Sequence, residues 1–443
     1  MEVINFIHDT NWKDFPVKIK HQARRCLLDV LGTGIAGRQT ELSQIIHDFA
    51  ASSFGGTGAY LWMDGREVSP PGAALANGMT IDALDIHDGH PLAKGHAGAA
   101  IVPAVLAVLD GNENQKVTGQ ELLTTLIIGY EVALRAGIAL HATACDYHTS
   151  GAWNALGSAA VTARRLGLGR EATRHALGIA EYHGPRSQMM RCIDHPTMLK
   201  DGSGWGAMAG VSSAFLARGN FSGAPALTVE ADGVKDIWTE LGAEWQFGKQ
   251  YFKPHAVCRW AQPAVEGVRA LQQKYQIASG NVQAIRVSTF HEAARLTCRH
   301  PRTTEAAQYS LPFPVAAILV YGRLGQQELS HNALKDSAVL RLCDCVEVIE
   351  NAAFSRQFPA KRFARVEIQT KTGTVYDSGE VQAKWDAETP PTDRELRQKF
   401  RWLTEGMLTA KRASELEETV WRCAELPEAT SLLPLLTPPK RPV

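Results

Sequence analysis

The chain has 443 residues, 45% of them hydrophobic and 21% charged, and its 46 basic side chains balance its 46 acidic ones. That length exceeds one ordinary hydrophobic core and predicts two domains, while zero net charge offers no basic footprint for nucleic acid or an anionic membrane. Eight cysteines without a repeating spacing, and an N-terminus lacking a charged-then-apolar pattern, predict a reduced, cytoplasmic protein. No apolar run is expected to span a bilayer, and neither a phosphate-loop nor a dinucleotide fingerprint occurs.

In chain order, residues 17–37 carry Ala23, Leu27, Leu28, Val30, Leu31 and Ile35 on one broad stripe, which predicts a helix. Residues 73–84 and 99–109 predict buried helices on either side of a polar loop. Helical patterns recur at 119–140, 152–166, 170–182 and 207–217, and alternating strand patterns are almost absent up to residue 260. A helical domain over residues 1–265 follows. Beyond it, 282–289 and 363–370 alternate as strands, the second running into a turn at Thr372-Gly373, with helical stretches at 315–321 and 327–333 between them. These predict an α+β unit over 266–392. Residues 393–405 and 413–425 return to helix, so that 393–443 packs back on the first domain, and the tail from Thr437 to Val443 is expected to fray.

The densest chemistry lies in the loop after the second of these helices. Asp85, His87, Asp88, His90, Lys94 and His96 place two carboxylates, three imidazoles and an amine within twelve residues. Asp and His are also ordinary turn and capping residues, but six together between glycines point to acid/base chemistry. A metal site built from the same cluster is the alternative, ranked lower because no zincin-type pair of histidines and no Cys-x-x-Cys accompanies it. Three further segments carry candidates. Tyr147 and His148 precede a small-residue helix for which Thr149 or Ser150 would be the N-cap. Lys200 to Gly204 could receive a carboxylate at a helix N-terminus, although a glycine-loop lysine is commonly just exposed. Lys253 and Arg259 flank Cys258, which reads as packing.

Four of these segments, in order, resemble the MmgE/PrpD family: Asn77-Gly78 through GHAGAAIVPAVLA, YHTSGAWNALGSAA ending in RRLGLG, MLKDGSG, and YFKPHAVCRW. TTEAAQYSLPFPVAAILVYG is a fifth, weaker match. The resemblance implies a mainly α protein, with a large helical domain completed by the C-terminal helices, a smaller α+β lid domain, a site between them, and a homodimer. It further implies cofactor- and metal-independent chemistry on di- or tricarboxylates, as in 2-methylcitrate dehydratase, cis-aconitate decarboxylase and iminodisuccinate epimerase. By position, Asp85, His96, His148, Lys200 and Lys253 resemble the family's catalytic groups; His87, His90, Lys94, Tyr147, Ser203 and Arg259 would complete substrate binding. The lysines and Arg259 would hold carboxylates, His96 and His148 would move protons, and Asp85 would orient one of them.

Departures from the family pattern are Ser203 and Gln262 where histidines are common, Phe313 for a frequent Tyr, and Ala97 for a common Pro. The expectation is a lyase acting on a small polycarboxylate, with dehydration ahead of decarboxylation. Epimerisation is the alternative within the family, a metal enzyme the rival outside it, and a polycarboxylate-binding protein without turnover the third reading.

Overall fold

The computed structural model describes residues 2–109 and 116–438. The fold is mainly α. Its helices are α1 (Glu2–Asp9), α2 (Val17–Gly37), α3 (Glu41–Ser53), α4 (Pro70–Asp82), α5 (Gly98–Ala107), α6 (Gly119–Thr143), α7 (Gly151–Arg165), α8 (Arg170–His183), α9 (Met189–Asp194) and α10 (Ser203–Arg218). Then come α11 (Gln262–Tyr275), α12 (Pro312–Tyr321), α13 (Ser337–Asp344), α14 (Asp393–Thr404) and α15 (Ala410–Trp421), besides several single turns. Polar caps fix their starts. Thr118 accepts from the Glu121 amide, Asp336 from Ala338 and Val339, and Thr392 with Glu395 forms a capping box.

Helices α4, α5, α6, α7 and α10 form the centre of the first core, α7 packing on α6 and α10 and α10 packing on α4 and α8. Small residues bring them close: a Cβ added at Gly157 of α7 would stand 2.6 Å from the Gly129 carbonyl oxygen of α6. Contrary to expectation, α6 is long and apolar enough to cross a membrane, with 94% of its most apolar window buried inside the fold. Its apolar circumference reflects a position at the middle of the bundle, since a helix covered on every side has no polar face to keep.

A two-residue ribbon, β1 (Ala59–Tyr60) with β2 (Glu67–Val68), also interrupts the otherwise helical first half. Asn77 of α4 pins it, accepting from the Trp62 amide at 2.9 Å and donating to the Tyr60 carbonyl at 3.0 Å.

A second core surrounds a four-stranded sheet of order β4-β3-β5-β6, comprising β3 (Val282–Thr289), β4 (Val346–Glu350), β5 (Phe363–Thr370) and β6 (Val375–Gln382). β3 runs parallel to β4 and antiparallel to β5, and β5 turns back into β6 through Gly373. α11, which begins before residue 266, packs on β5 and β6. The predicted helix at 327–333 is instead two 3-10 turns, Gln327–Leu329 and Ala333–Lys335. Leu396 and Phe400 of α14, with Leu416 and Val420 of α15, join the first core against α2. Of the tail expected to fray, residues 439–443 lie outside the described residues.

All eight cysteines are free, so packing and hydrogen bonding hold the fold. Gly157→Ala is expected to cost about 1–3 kcal/mol through overpacking of the α6–α7 contact. A lower urea midpoint with an unchanged m-value would show it.

Candidate active site

α4 ends at Asp82, and the chain turns at Asp85, whose φ of 48° lies in the left-handed region. Asp85, Lys94 and Lys200 are three of the seven non-glycine residues with positive φ among those described. Each such conformation costs of order 1–3 kcal/mol for most side chains, and such residues concentrate at functional sites. The loop that follows is paired with a distant segment: Gly89 and Tyr251 exchange backbone bonds of 3.0 and 2.8 Å. That pairing carries Lys253 alongside Asp85, and the ammonium donates to Asp85 Oδ1 across 168 residues of sequence. Lys253 is fully buried and Asp85 is 3% exposed.

His96 stands over this pair, its Nε2 3.8 Å from Asp85 Oδ1. Its Nδ1 lies 2.6 Å from the Asp88 carbonyl oxygen, which can only accept, so Nδ1 carries the proton and Nε2 presents a lone pair. Burial, then Lys253 and His87, push the His96 pKa well below its ordinary value, so the imidazole is neutral at physiological pH. The His87 ring packs edge-on against it at 4.5 Å between centroids. Burial pushes the Asp85 carboxyl upward, but Lys253 and then Lys200 outweigh it and hold the carboxylate well below the usual range. Asp88, whose carbonyl sets the His96 tautomer, is held by the Tyr130 hydroxyl at 2.7 Å. Behind it, Lys399 of α14 donates to Asp29 and to the Ile86 carbonyl, both at 2.6 Å, so the C-terminal helices grip the loop from below.

Lys200 is buried, not surface-exposed; its ammonium donates to Gln308 Oε1 and lies 4.8 Å from the Tyr309 ring centroid. The N-terminus of α10, read from sequence as a receiver for a ligand carboxylate, already holds one from the protein. Asp82 Oδ2 accepts from the Asp201 and Ser203 amides at 3.2 and 3.4 Å. Burial, then Asp82, push the Asp201 carboxyl up to about 8, so it is protonated at neutral pH. Ser150 sits at the N-cap of α7 but makes no capping bond through its side chain. Its Oγ accepts from the His96 amide at 2.9 Å and donates to Asp201, tying the His96 loop to the Lys200 loop.

Asp85, His87, His96 and Lys253 therefore converge, with Lys200 acting on Asp85 through its charge. The remaining candidates are distributed around them. His148 Nδ1 lies 3.0 Å from the Asp146 carbonyl, its amide donates to His141, and among the described residues its ring makes no polar contact with the Asp85 cluster. Tyr147 donates to the Lys94 carbonyl at 2.6 Å, and burial raises its phenol well above the ordinary value. The Lys94 ammonium lies 5.6 Å from the Tyr147 ring centroid. His90 accepts from the Ala93 amide and braces its own turn, its pKa lowered to about 3 by burial and then by Lys249 and Arg362. The Ser203 hydroxyl is buried without a partner among the described residues. Arg259 lies over the Tyr251 ring, donates through Nη1 to the Phe252 and Lys384 carbonyls and pairs with Asp386 at 2.9 Å, so protein groups take up part of its guanidinium, with Nε buried without a partner among the described residues.

Gln262 donates to the carbonyls of His255 and Val257 and shapes the Lys253 segment, while Phe313 is a core side chain. The Cys258 thiol, raised to about 12 by burial, is inert packing. Sequence reasoning missed Asp82, Ser150, Asp201 and Gln308. Ser150, Asp201 and Gln308 all stood inside segments already singled out, but nothing in those segments pointed to these side chains. Among the described residues no three His, Cys, Asp or Glu side chains form a metal-binding group; Asp85 pairs with Lys253, His87 with Asp82, and His96 Nδ1 with a backbone carbonyl.

Two stability predictions follow from the charges. Asp85→Asn and Lys253→Met should each cost about 3–5 kcal/mol by stranding a buried polar or charged partner, and the double variant less than their sum, in a denaturation cycle. Asp201 titrates in the unfolded chain near the ordinary 3.8 but in the fold only near 8. Between those values the fold binds the extra proton, so stability falls as pH rises. Asp201→Asn is expected to flatten that slope, read by urea midpoints at pH 5 and pH 8.

The MmgE/PrpD N-terminal domain matches residues 2–246 and the MmgE/PrpD C-terminal domain residues 255–424. A cis-aconitate decarboxylase-like protein of Aspergillus oryzae is 25% identical over 98% of this chain and 96% of its own length. The cis-aconitate decarboxylase of Homo sapiens is 23% identical over 96% of this chain and 92% of its own. A mitochondrial 2-methylcitrate dehydratase of Yarrowia lipolytica is 25% identical over 86% of this chain and 78% of its own. With its two domain matches together spanning nearly the whole sequence, this chain belongs to the MmgE/PrpD family.

Proposed function

We propose that this protein is a lyase that eliminates a group from a carbon adjacent to a carboxylate in a small di- or tricarboxylate. The observation that carries the reading is His96: a neutral imidazole with its Nδ1 proton committed to a carbonyl and a free Nε2 lone pair beside a buried cation. That is a general base ready at neutral pH without a prior deprotonation. In the dehydration arm, His96 Nε2 takes the proton α to a carboxylate and the electron pair spreads onto that carboxylate. Lys200 stabilises the charge. The C–O bond then breaks, Lys253 protonates the departing oxygen, and water leaves with an alkene as product. Asp85 orients Lys253, and the site resets when His96 releases the proton it took and Lys253 takes one up from solvent.

Decarboxylation is the second reading, favoured by the relatives with that name, which align with nearly the whole chain. There the C–C bond to the carboxylate breaks, carbon dioxide leaves, and the carbanion takes a proton from Lys253. An isomerase would instead return the proton to the same carbon.

Proton NMR in deuterated water with citrate-, aconitate-, tartrate- and aminodicarboxylate-type compounds separates these. A vinyl signal at constant carbon count means dehydration, loss of a carboxylate carbon means decarboxylation, and exchange without either means isomerisation and overturns the lyase reading. His96→Ala is expected to lower kcat by about 10²–10⁴-fold. Because the His96 pKa is held well below 6.5, the acid limb of kcat/KM should fall far below pH 6.5; a limb near 6.5 would exclude His96 as the base.

A further inference from the structure

Residues 185–194, which end in α9, form a strap across the molecule. At one end the Thr149 amide donates to Ser187 at 2.8 Å and the Met189 amide to Tyr147 at 2.7 Å. At the other, both oxygens of Asp194 accept from Arg295, at 2.6 and 2.8 Å, beside the second core. A cavity of about 240 Å³ adjoins the strap, lined by Arg191 of the strap, by His195 just after it and by Lys200. Thr149, Gln188 and Trp205 border it, and among the described residues no carboxylate side chain lines it.

This lining is one-sided in charge. Arg191 is exposed and makes no side-chain hydrogen bond or ion pair among the described residues, in contrast to the buried Arg259, which pairs with Asp386 and donates to two carbonyls. An unpaired guanidinium on a cavity that also holds a buried lysine is suited to a carboxylate, which it binds through two parallel bonds. The volume lies below the range of about 300–1,000 Å³ for drug-sized ligands and suits a compound of a few carbons.

We propose that Arg191 anchors the substrate carboxylate farthest from the reacting carbon, so that the strap decides which polycarboxylate is accepted. This rests on the lyase reading above. Lys200 then holds the carboxylate next to the reacting carbon and Arg191 the distal one, and the separation between them measures the substrate. A dicarboxylate lacking the distal group loses the second contact.

Steady-state kinetics with the tricarboxylate turned over and its analogue lacking the distal carboxylate test this, in the wild type, Arg191→Gln and Arg191→Lys. Arg191→Gln should raise KM for the tricarboxylate roughly 10- to 100-fold with kcat little changed, and leave the analogue's KM unaltered. Arg191→Lys should recover part of the loss, as a point charge without the planar fork. If the wild type turns over a tricarboxylate and Arg191→Gln leaves its KM unchanged, the anchor is overturned and the lyase reading stands. If the wild type neither converts nor, by calorimetry with citrate and tricarballylate, binds any such acid, the lyase reading and the anchor fail together. Binding without turnover overturns the lyase reading, and the anchor then stands only if Arg191→Gln weakens that binding by the same factor.

Discussion

The buried pair of Asp85 and Lys253 is the constraint on which the site depends. Removing both charges from water is expensive, and such a pair is rarely the most stable filling for a core. Here the expense is offset by the charge of Lys200 on the carboxylate side, and a backbone bridge from Gly89 to Tyr251 fixes the approach. The pair joins the loop after α4 to the segment before α11, and so joins the first core to the second. Everything reactive in the site is arranged around that junction.

Neutralisation of His96 follows from the same arrangement. A cation beside an imidazole in a dry environment penalises its protonated form, and the Asp88 carbonyl then dictates which nitrogen keeps the single proton. The tautomer is thus fixed by backbone geometry, which is in turn held by Tyr130 and Lys399 on the far side of the loop. A base prepared in this way is distinct from one that depends on a carboxylate partner, because Asp85 is committed to Lys253 and lies 3.8 Å from the imidazole.

Much of this was legible in the sequence, and the parts that were not share a physical cause. Periodicity located α2 and the two strands β3 and β5, because each buries one face or stripe against a core. It did not locate β6, whose residues alternate only between exposed and half-buried, nor β4, which is five residues long. The density of titratable groups marked the loop of Asp85, His87 and His96. It could not show that His90 faces its own turn or that Arg259 is already paired, since those outcomes depend on partners more than a hundred residues away or on a single hydrogen bond. That Lys200 is buried was not legible for the same reason: its partner, Gln308, comes from the other core. Gln262 and Phe313, unusual against the family pattern, serve packing and loop shape in this fold.

Lys399 connects the site to the order in which the chain is made. Its bond to the Ile86 carbonyl closes a separation of 313 residues, and its helix supplies Leu396 and Phe400 to the first core. During synthesis the loop bearing Asp85 and His96 emerges early, with α4 and α5 already able to form around it. It then waits for α14, translated after both the helical layer and the sheet, before the carbonyl of Ile86 is gripped. The chemistry of the loop is therefore assembled last, and a ribosome-bound chain short of residue 399 carries all the groups of the loop without the support that aligns them.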